Sequence, residues 1–264
     1  MRAIFVLIFA VAASAQVNKE TALGAQLAQD IRQRTTAIEE PSVQEYVERV
    51  GQKLAAEIPD VNLKYSFALI ADDLGGETQE PLSLPGGYIF VSAALIRSVA
   101  SEAELAGMLA HAMVHPTLVP VQRQGPTIPL IFVAGWTGYG LRQSGGLIPI
   151  SLLKGLRENE LRADTMAVSK MSAADYDPEA LASYIARVPE KQFRGSTSQQ
   201  FAPLPDRDTR VAAIQQEIQK LPGRSYPAMD PDEFAGIQAQ LAVEVPAQRR
   251  PSPAVTRPTL RRRN

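Results

Sequence analysis

Residues 101–116 read Ser101-Glu102-Ala103-Glu104-Leu105-Ala106-Gly107-Met108-Leu109-Ala110-His111-Ala112-Met113-Val114-His115-Pro116. Ser101 followed three residues later by Glu104 is a capping box. It predicts a helix running through Leu105, Met108, Leu109 and His115, stopped by Pro116 and Pro120. On such a helix His111 and His115 lie four apart, so both imidazoles leave one face a turn apart. That geometry suits two nitrogens on one zinc ion, as in the helix motif His-Glu-x-x-His. These are the two histidines of the whole 264-residue chain, so chemistry that needs imidazole has to use them. The motif's glutamate position, however, holds Ala112. Taken alone, the spacing also fits two histidines packed or solvated on a helix.

A second four-residue spacing lies downstream, in a helix predicted over about Ser151 to Met171. Within Arg157-Glu158-Asn159-Glu160-Leu161-Arg162-Ala163-Asp164, the carboxylates of Glu160 and Asp164 share one helical face. A solvated charged face with pairs such as Glu158–Arg162 explains the same pattern. Upstream, residues 17–40 carry Leu23, Leu27 and Ile31 at helical spacing, and Ser42 with Glu45 forms a further capping box ahead of Val43, Val47, Val50 and Leu54. Asn62 to Ala71 alternates as a strand does. After a loop with Gly75-Gly76, Leu84-Pro85-Gly86-Gly87 leads into a second strand, Tyr88 to Ser92. More helices are expected at 178–187 and 208–221. The apolar run 126–153 reads as a membrane segment or as a buried helical hairpin or lid. Pro126, Pro129, Pro149, Arg142 and three glycines between 135 and 140 favour the hairpin or lid.

Composition bounds the function. The absence of cysteine excludes a disulfide scaffold and any thiolate zinc site. Apolar content of 45% with 21% charge indicates a globular chain, and 6% aromatics argue against a stacking platform for nucleic acid. Arg2, the apolar run Ala3 to Ala12 and Ala13-Ser14-Ala15 form a secretory signal peptide over 1–15. That run is shorter than the roughly 20 residues a membrane span needs. Residues 246–264 hold six arginines and no acid among prolines, a disordered tail. The body between them, 16–245, has 20 bases against 28 acids, which is no nucleic-acid-binding profile. The expectation is an exported protein, periplasmic or secreted, with no stable membrane span.

In order along the chain, these segments resemble the zinc metallopeptidases typified by the CAAX prenyl endopeptidase, in their soluble, exported bacterial branch. Leu84-Pro85-Gly86-Gly87-Tyr88-Ile89-Phe90-Val91 is similar to the family's proline-glycine-glycine strand along the active-site cleft. Glu102 to His115 resembles its histidine helix and Glu160 to Asp164 its Glu-x-x-Ala-Asp helix, while Asp175-Tyr176-Asp177-Pro178-Glu179-Ala180 looks like its Gly-Tyr-Asp-Pro stretch. The resemblance covers roughly residues 25–240. It implies an α+β, mainly helical, zincin-like domain over 16–245 with a small sheet and a two-helix zinc site. His111, His115 and Glu160 would be the ligands, Asp164 would support them, and Gly86, Gly87 and Tyr88 would bind substrate. Two departures stand out: Ala112 replaces the catalytic glutamate, and Leu204, ahead of Pro205-Asp206 and Arg210, stands where a late His-Pro segment begins.

Two imidazoles and a carboxylate with an open fourth position make the site used in peptide hydrolysis, in which zinc lowers the pKa of bound water toward about 7. Without a general base about 10²–10⁴-fold of rate is forfeited. Glu104, two turns earlier on the same helix, is too far away to replace it. The resemblance therefore points to a degenerate, non-catalytic zinc protein of the envelope that binds unfolded or exported polypeptide, with main-chain pairing along Tyr88–Ser92. The alternative is an active metalloendopeptidase in proteolysis or envelope quality control. A metal-free interaction module, its histidines relics, is the third reading.

Overall fold

Pro41, whose fixed φ and missing N–H suit the first turn of a helix, starts α2 (Pro41–Ala55). The computed structural model describes residues 21–58, 63–71, 80–118, 150–188 and 205–243. The expected Ser42–Glu45 box does not form. Proline has taken the first helical position, Glu40 is the cap residue without a side-chain cap bond, and Ser42 lies inside the helix. Ahead of it, α1 covers residues 21–34, ending short of the predicted 40. Residues 36–38 are drawn instead into pairing with a strand, through the Ala37–Ile70 bridge and the Ile38 N–H to Leu69 carbonyl bond of 3.2 Å.

That strand is β1 (Ser66–Ile70), within the alternating run that predicted it. It pairs in parallel with β3 (Tyr88–Ser92), which pairs antiparallel with β2 (Leu82–Leu84) on its other side. The order is β1-β3-β2. The turn from β2 to β3 holds Gly86 at φ +79° and Gly87 at φ +87°, left-handed backbone that favours glycine. A side chain on Gly87 would also meet the Lys64 carbonyl oxygen at 2.8 Å.

Ser92 caps the short α3 (Ala93–Ser98), accepting the Leu95 N–H. Ser101 then accepts the Glu104 N–H at 3.2 Å and opens α4 (Glu102–Leu118) as expected. The Glu104 carboxylate takes the Ala100 N–H rather than that of Ser101. Pro116 does not stop this helix, which continues to Leu118. In the last turn a proline forfeits a single hydrogen bond, the one to the Ala112 carbonyl four residues back.

Then come α5 (Ile150–Ala173), α6 (Glu179–Arg187), α7 (Arg207–Ile218) and α8 (Pro231–Val243). Leu105 through Val114 is apolar nearly all round, which marks a helix enclosed by its neighbours. Helix α4 is packed by α2, α5, α6 and β2. The main core gathers Val47, Leu54, Ile89, Met108, Leu109, Ala167 and Tyr184, while Ile31 of α1 with Leu82, Leu84 and Phe90 forms a second cluster on the other side of the sheet. The result is mainly helical with one small sheet, as expected. Among the described residues no helix is long and apolar enough to cross a membrane. The signal peptide, the Gly75-Gly76 loop, Leu204, the basic tail and the 126–149 part of the expected hairpin or lid lie outside the described residues.

Candidate metal centre

The i,i+4 pairs of α4 and α5 meet in the core, because the two helices pack face to face. His111 Nε2 and His115 Nε2 lie 3.1 Å apart, and Glu160 Oε2 lies 3.3 Å from the first and 3.7 Å from the second. All three residues are buried and form a group able to hold one metal ion. Four-coordinate bonds of about 2.0–2.2 Å place neighbouring donor atoms roughly 3.3–3.6 Å apart, which this triangle approximates. Glu160 Oε2 is buried with no hydrogen-bond donor among the described residues, an arrangement that a cation relieves.

Asp164, with no solvent exposure, sets the orientation of the first histidine. Its Oδ1 is 2.8 Å from His111 Nδ1, at ion-pair distance though out of line with the ring N–H. A proton held at Nδ1 leaves the Nε2 lone pair for the triangle. Arg210 of α7 grips the same carboxylate with both arms of its guanidinium, Nε to Oδ2 and Nη2 to Oδ1, each at 2.8 Å. Its third nitrogen reaches Glu80 Oε1 at 3.2 Å, just ahead of β2. Asp206 holds the start of α7 by accepting the Thr209 N–H. Arg210 balances one of the three carboxylates, leaving two negative charges beside neutral imidazoles, the deficit a divalent cation fills.

The electrostatics follow from these neighbours. Burial disfavours a charged His111, but the Asp164 and Glu160 carboxylates outweigh it and raise its pKa to about 9. Burial governs His115 and lowers it to about 4 in spite of Glu160. Glu160 is held down at about 2 against burial by the imidazoles and Arg210. Asp164 lies well below the usual carboxylate range, since Arg210 overcomes its burial. Without metal, a proton on His111 offsets one of the two excess negative charges.

Between the histidines, Ala112 is a buried methyl group with no proton-accepting atom. Nearby carboxylates are committed elsewhere. Glu104 binds the Ala100 N–H and Arg187, and Glu102 accepts the hydroxyls of Tyr46 at 2.5 Å and Tyr176 at 2.8 Å. The Asp175–Ala180 stretch is thus a corner, with Asp175 left-handed at φ 60° and Tyr176 tied back to α4.

The structure brings together His111, His115, Glu160 and Asp164 as the sequence reading expected. Gly86 and Gly87 form the β2–β3 turn, against Thr21 of α1 and against Lys64, with partly exposed Tyr88 at its exit. Main-chain pairing of a peptide along Tyr88–Ser92 is corrected: β3 is the central strand and both its edges are taken. Arg210 and Glu80 received no role from the sequence, although a buried aspartate beside a metal ligand calls for a counter-cation.

Comparison with known proteins places these features. The family described as Peptidase family M48 matches residues 41–218, more than half of the chain. The chain is similar to a protein of Vibrio cholerae serotype O1 named putative beta-barrel assembly-enhancing protease, 24% identical over 254 residues and covering 86% of this chain and 52% of that one. It is similar also to the beta-barrel assembly-enhancing proteases of Yersinia pestis, 24% identical with 74% and 43% covered, and Escherichia coli K12, 23% identical with 65% and 38% covered. The chain thus spans about half the length of these relatives or less.

Proposed function

The chain belongs to peptidase family M48, and from that membership we propose that it is an exported zinc protein of the cell envelope that binds unfolded polypeptide without cutting it. The resemblance of its segments supports, within the family, the soluble, exported bacterial branch. The observation that carries the reading is the buried triangle of His111, His115 and Glu160, together with Ala112, a buried methyl group, at the sequence position between the histidines where the His-Glu-x-x-His motif has its proton acceptor. A donor set of two nitrogens and one carboxylate oxygen suits zinc.

Zinc bound there would polarise a carbonyl and acidify a water molecule. The chain's own residues prepare the site. Asp164 fixes the His111 tautomer, Arg210 balances Asp164, and Glu160 keeps its charge in spite of burial. No residue described around the triangle is free to take the proton of an attacking water. Among the described residues β2 pairs with β3 alone, which supports main-chain pairing of a polypeptide strand at its other side. The names of the relatives support a role with exported proteins; for this chain that role is a proposal.

Digestion of β-casein tests the reading. The zinc-loaded chain should leave casein intact yet bind it, while Ala112→Glu should raise cleavage by about 10²-fold or more if the remaining geometry is sound. Chelator-sensitive cleavage by the unmodified chain would overturn the non-catalytic reading in favour of an active metalloendopeptidase.

A further inference from the structure

Arg210 has more donors than Asp164 can use. A guanidinium is a planar fork of N–H groups that stays charged. Its Nε and Nη2 are committed to the two oxygens of Asp164, while Nη1 turns to Glu80 Oε1 at 3.2 Å. Arg210 is buried, so an unpaired Nη1 would have little water to turn to. Glu80 lies just ahead of β2 with its side chain 20% exposed, the outermost of these groups.

Glu80, Arg210, Asp164 and the His111 ring form one line of charged and polar groups ending at the metal triangle. The line joins the approach to β2 with α7, α5 and α4, four segments far apart in sequence. A guanidinium bonded to Asp164 alone would spend its whole charge there and weaken the pull of that carboxylate on His111 and on a cation beyond it. A second carboxylate on the opposite arm shares the charge and adds its own attraction for the cation, so both effects have one sign. The third contact also fixes the plane of the guanidinium against Asp164. Partial exposure screens Glu80, so its influence is smaller than that of Asp164.

We infer that Glu80 is a positioning residue of the metal centre, acting through Arg210 and Asp164 on His111 to raise the affinity of the centre for a divalent cation. This rests on the zinc-binding reading and adds to it a residue outside the ligand set. Without Glu80, the two negative charges that Arg210 leaves uncompensated fall to one, and a dication is held less tightly.

The test is zinc affinity of the full chain, read by competition with a chromogenic chelator, with the Tm of the metal-free chain measured in parallel. Glu80→Gln keeps an acceptor for Nη1 and removes the charge. It should weaken zinc binding about three- to tenfold, below the effect of losing a ligand's direct partner. Glu80→Asp keeps the charge and should recover part of the loss. The decisive arm repeats Glu80→Gln in an Asp164→Asn background, where the line is cut in its middle; there the further loss should be less than about twofold. Unchanged or tighter zinc binding in Glu80→Gln, with or without a lower Tm, overturns the inference. So does Glu80→Asp binding no better than Glu80→Gln. An equal loss in both backgrounds overturns it too, since Glu80 would then act as a general surface charge. A wild-type chain that takes up no zinc removes the metal reading and this inference with it, and is told apart because the defect precedes any substitution.

Discussion

At the scale of single residues, the pair Asp164 and Arg210 decides how the first histidine is presented. Asp164→Asn removes the carboxylate charge facing His111 Nδ1 at 2.8 Å and should weaken zinc affinity about 10–100-fold, as changing the outer partner of a metal ligand does, and competition with a chromogenic chelator measures it. Arg210→Ala leaves Asp164 buried without its counter-charge and should cost about 3–5 kcal/mol in urea unfolding. His111 gives a pH signature. Its folded pKa of about 9 lies above the ordinary 6.5, so in the metal-free chain its stabilising proton is fully present below pH 6.5. That contribution fades as pH climbs through 9. Zinc displaces the same proton, so titrating zinc into a weakly buffered solution at pH 7 should release about one proton per ion. Zinc uptake with no proton release would show that His111 is neutral in the empty site.

At the scale of elements, the β2–β3 hairpin and α4 carry the arrangement. Gly87→Ala should destabilise the chain by at least about 1–2 kcal/mol, because its left-handed backbone disfavours a Cβ and the Lys64 carbonyl stands 2.8 Å from where that Cβ would go. An unchanged urea midpoint would contradict it. How far elements can be read from sequence depends on whether the signal is local. The Ser101 cap, the strand Tyr88–Ser92 and the i,i+4 pairs of α4 and α5 were legible, since each is written within a few residues. Ser42 misled because the proline before it competed for the helix start. The short β2 escaped notice: three residues offer no periodicity, and its pairing with β3 is a tertiary fact. Helix α8 was missed although Asp230 ahead of Pro231, with Phe234, Ile237 and Leu241 on the buried face, is a usable signal. Arg210 could not be assigned to Asp164 across 46 residues without the packing of α5 on α7.

At the scale of the molecule, one ion would join the two helices at the centre of the core. Glu160 and the histidines come from segments separated by residues 119–149, so the metal closes a long stretch of chain. Zinc at about 100 times its dissociation constant should stabilise the fold by roughly 2.7 kcal/mol, seen as a Tm that rises with zinc concentration and falls with chelator. A Tm indifferent to both would mean that the helices need no ion. The same packing explains why α4 tolerates two histidines in an apolar interior: Glu160 and Asp164, the latter paired with Arg210, give them charged partners. Ala112 leaves that cluster intact, and under the proposed non-catalytic reading holding metal and cutting peptide are separable properties of this fold.

The most direct measurement is the zinc content of the purified chain after dialysis against zinc and then metal-free buffer. The account predicts about one zinc per chain, lost in Glu160→Gln, from the two-nitrogen, one-oxygen triangle. Less than about a tenth of an ion per chain, or the same content in Glu160→Gln, would contradict it.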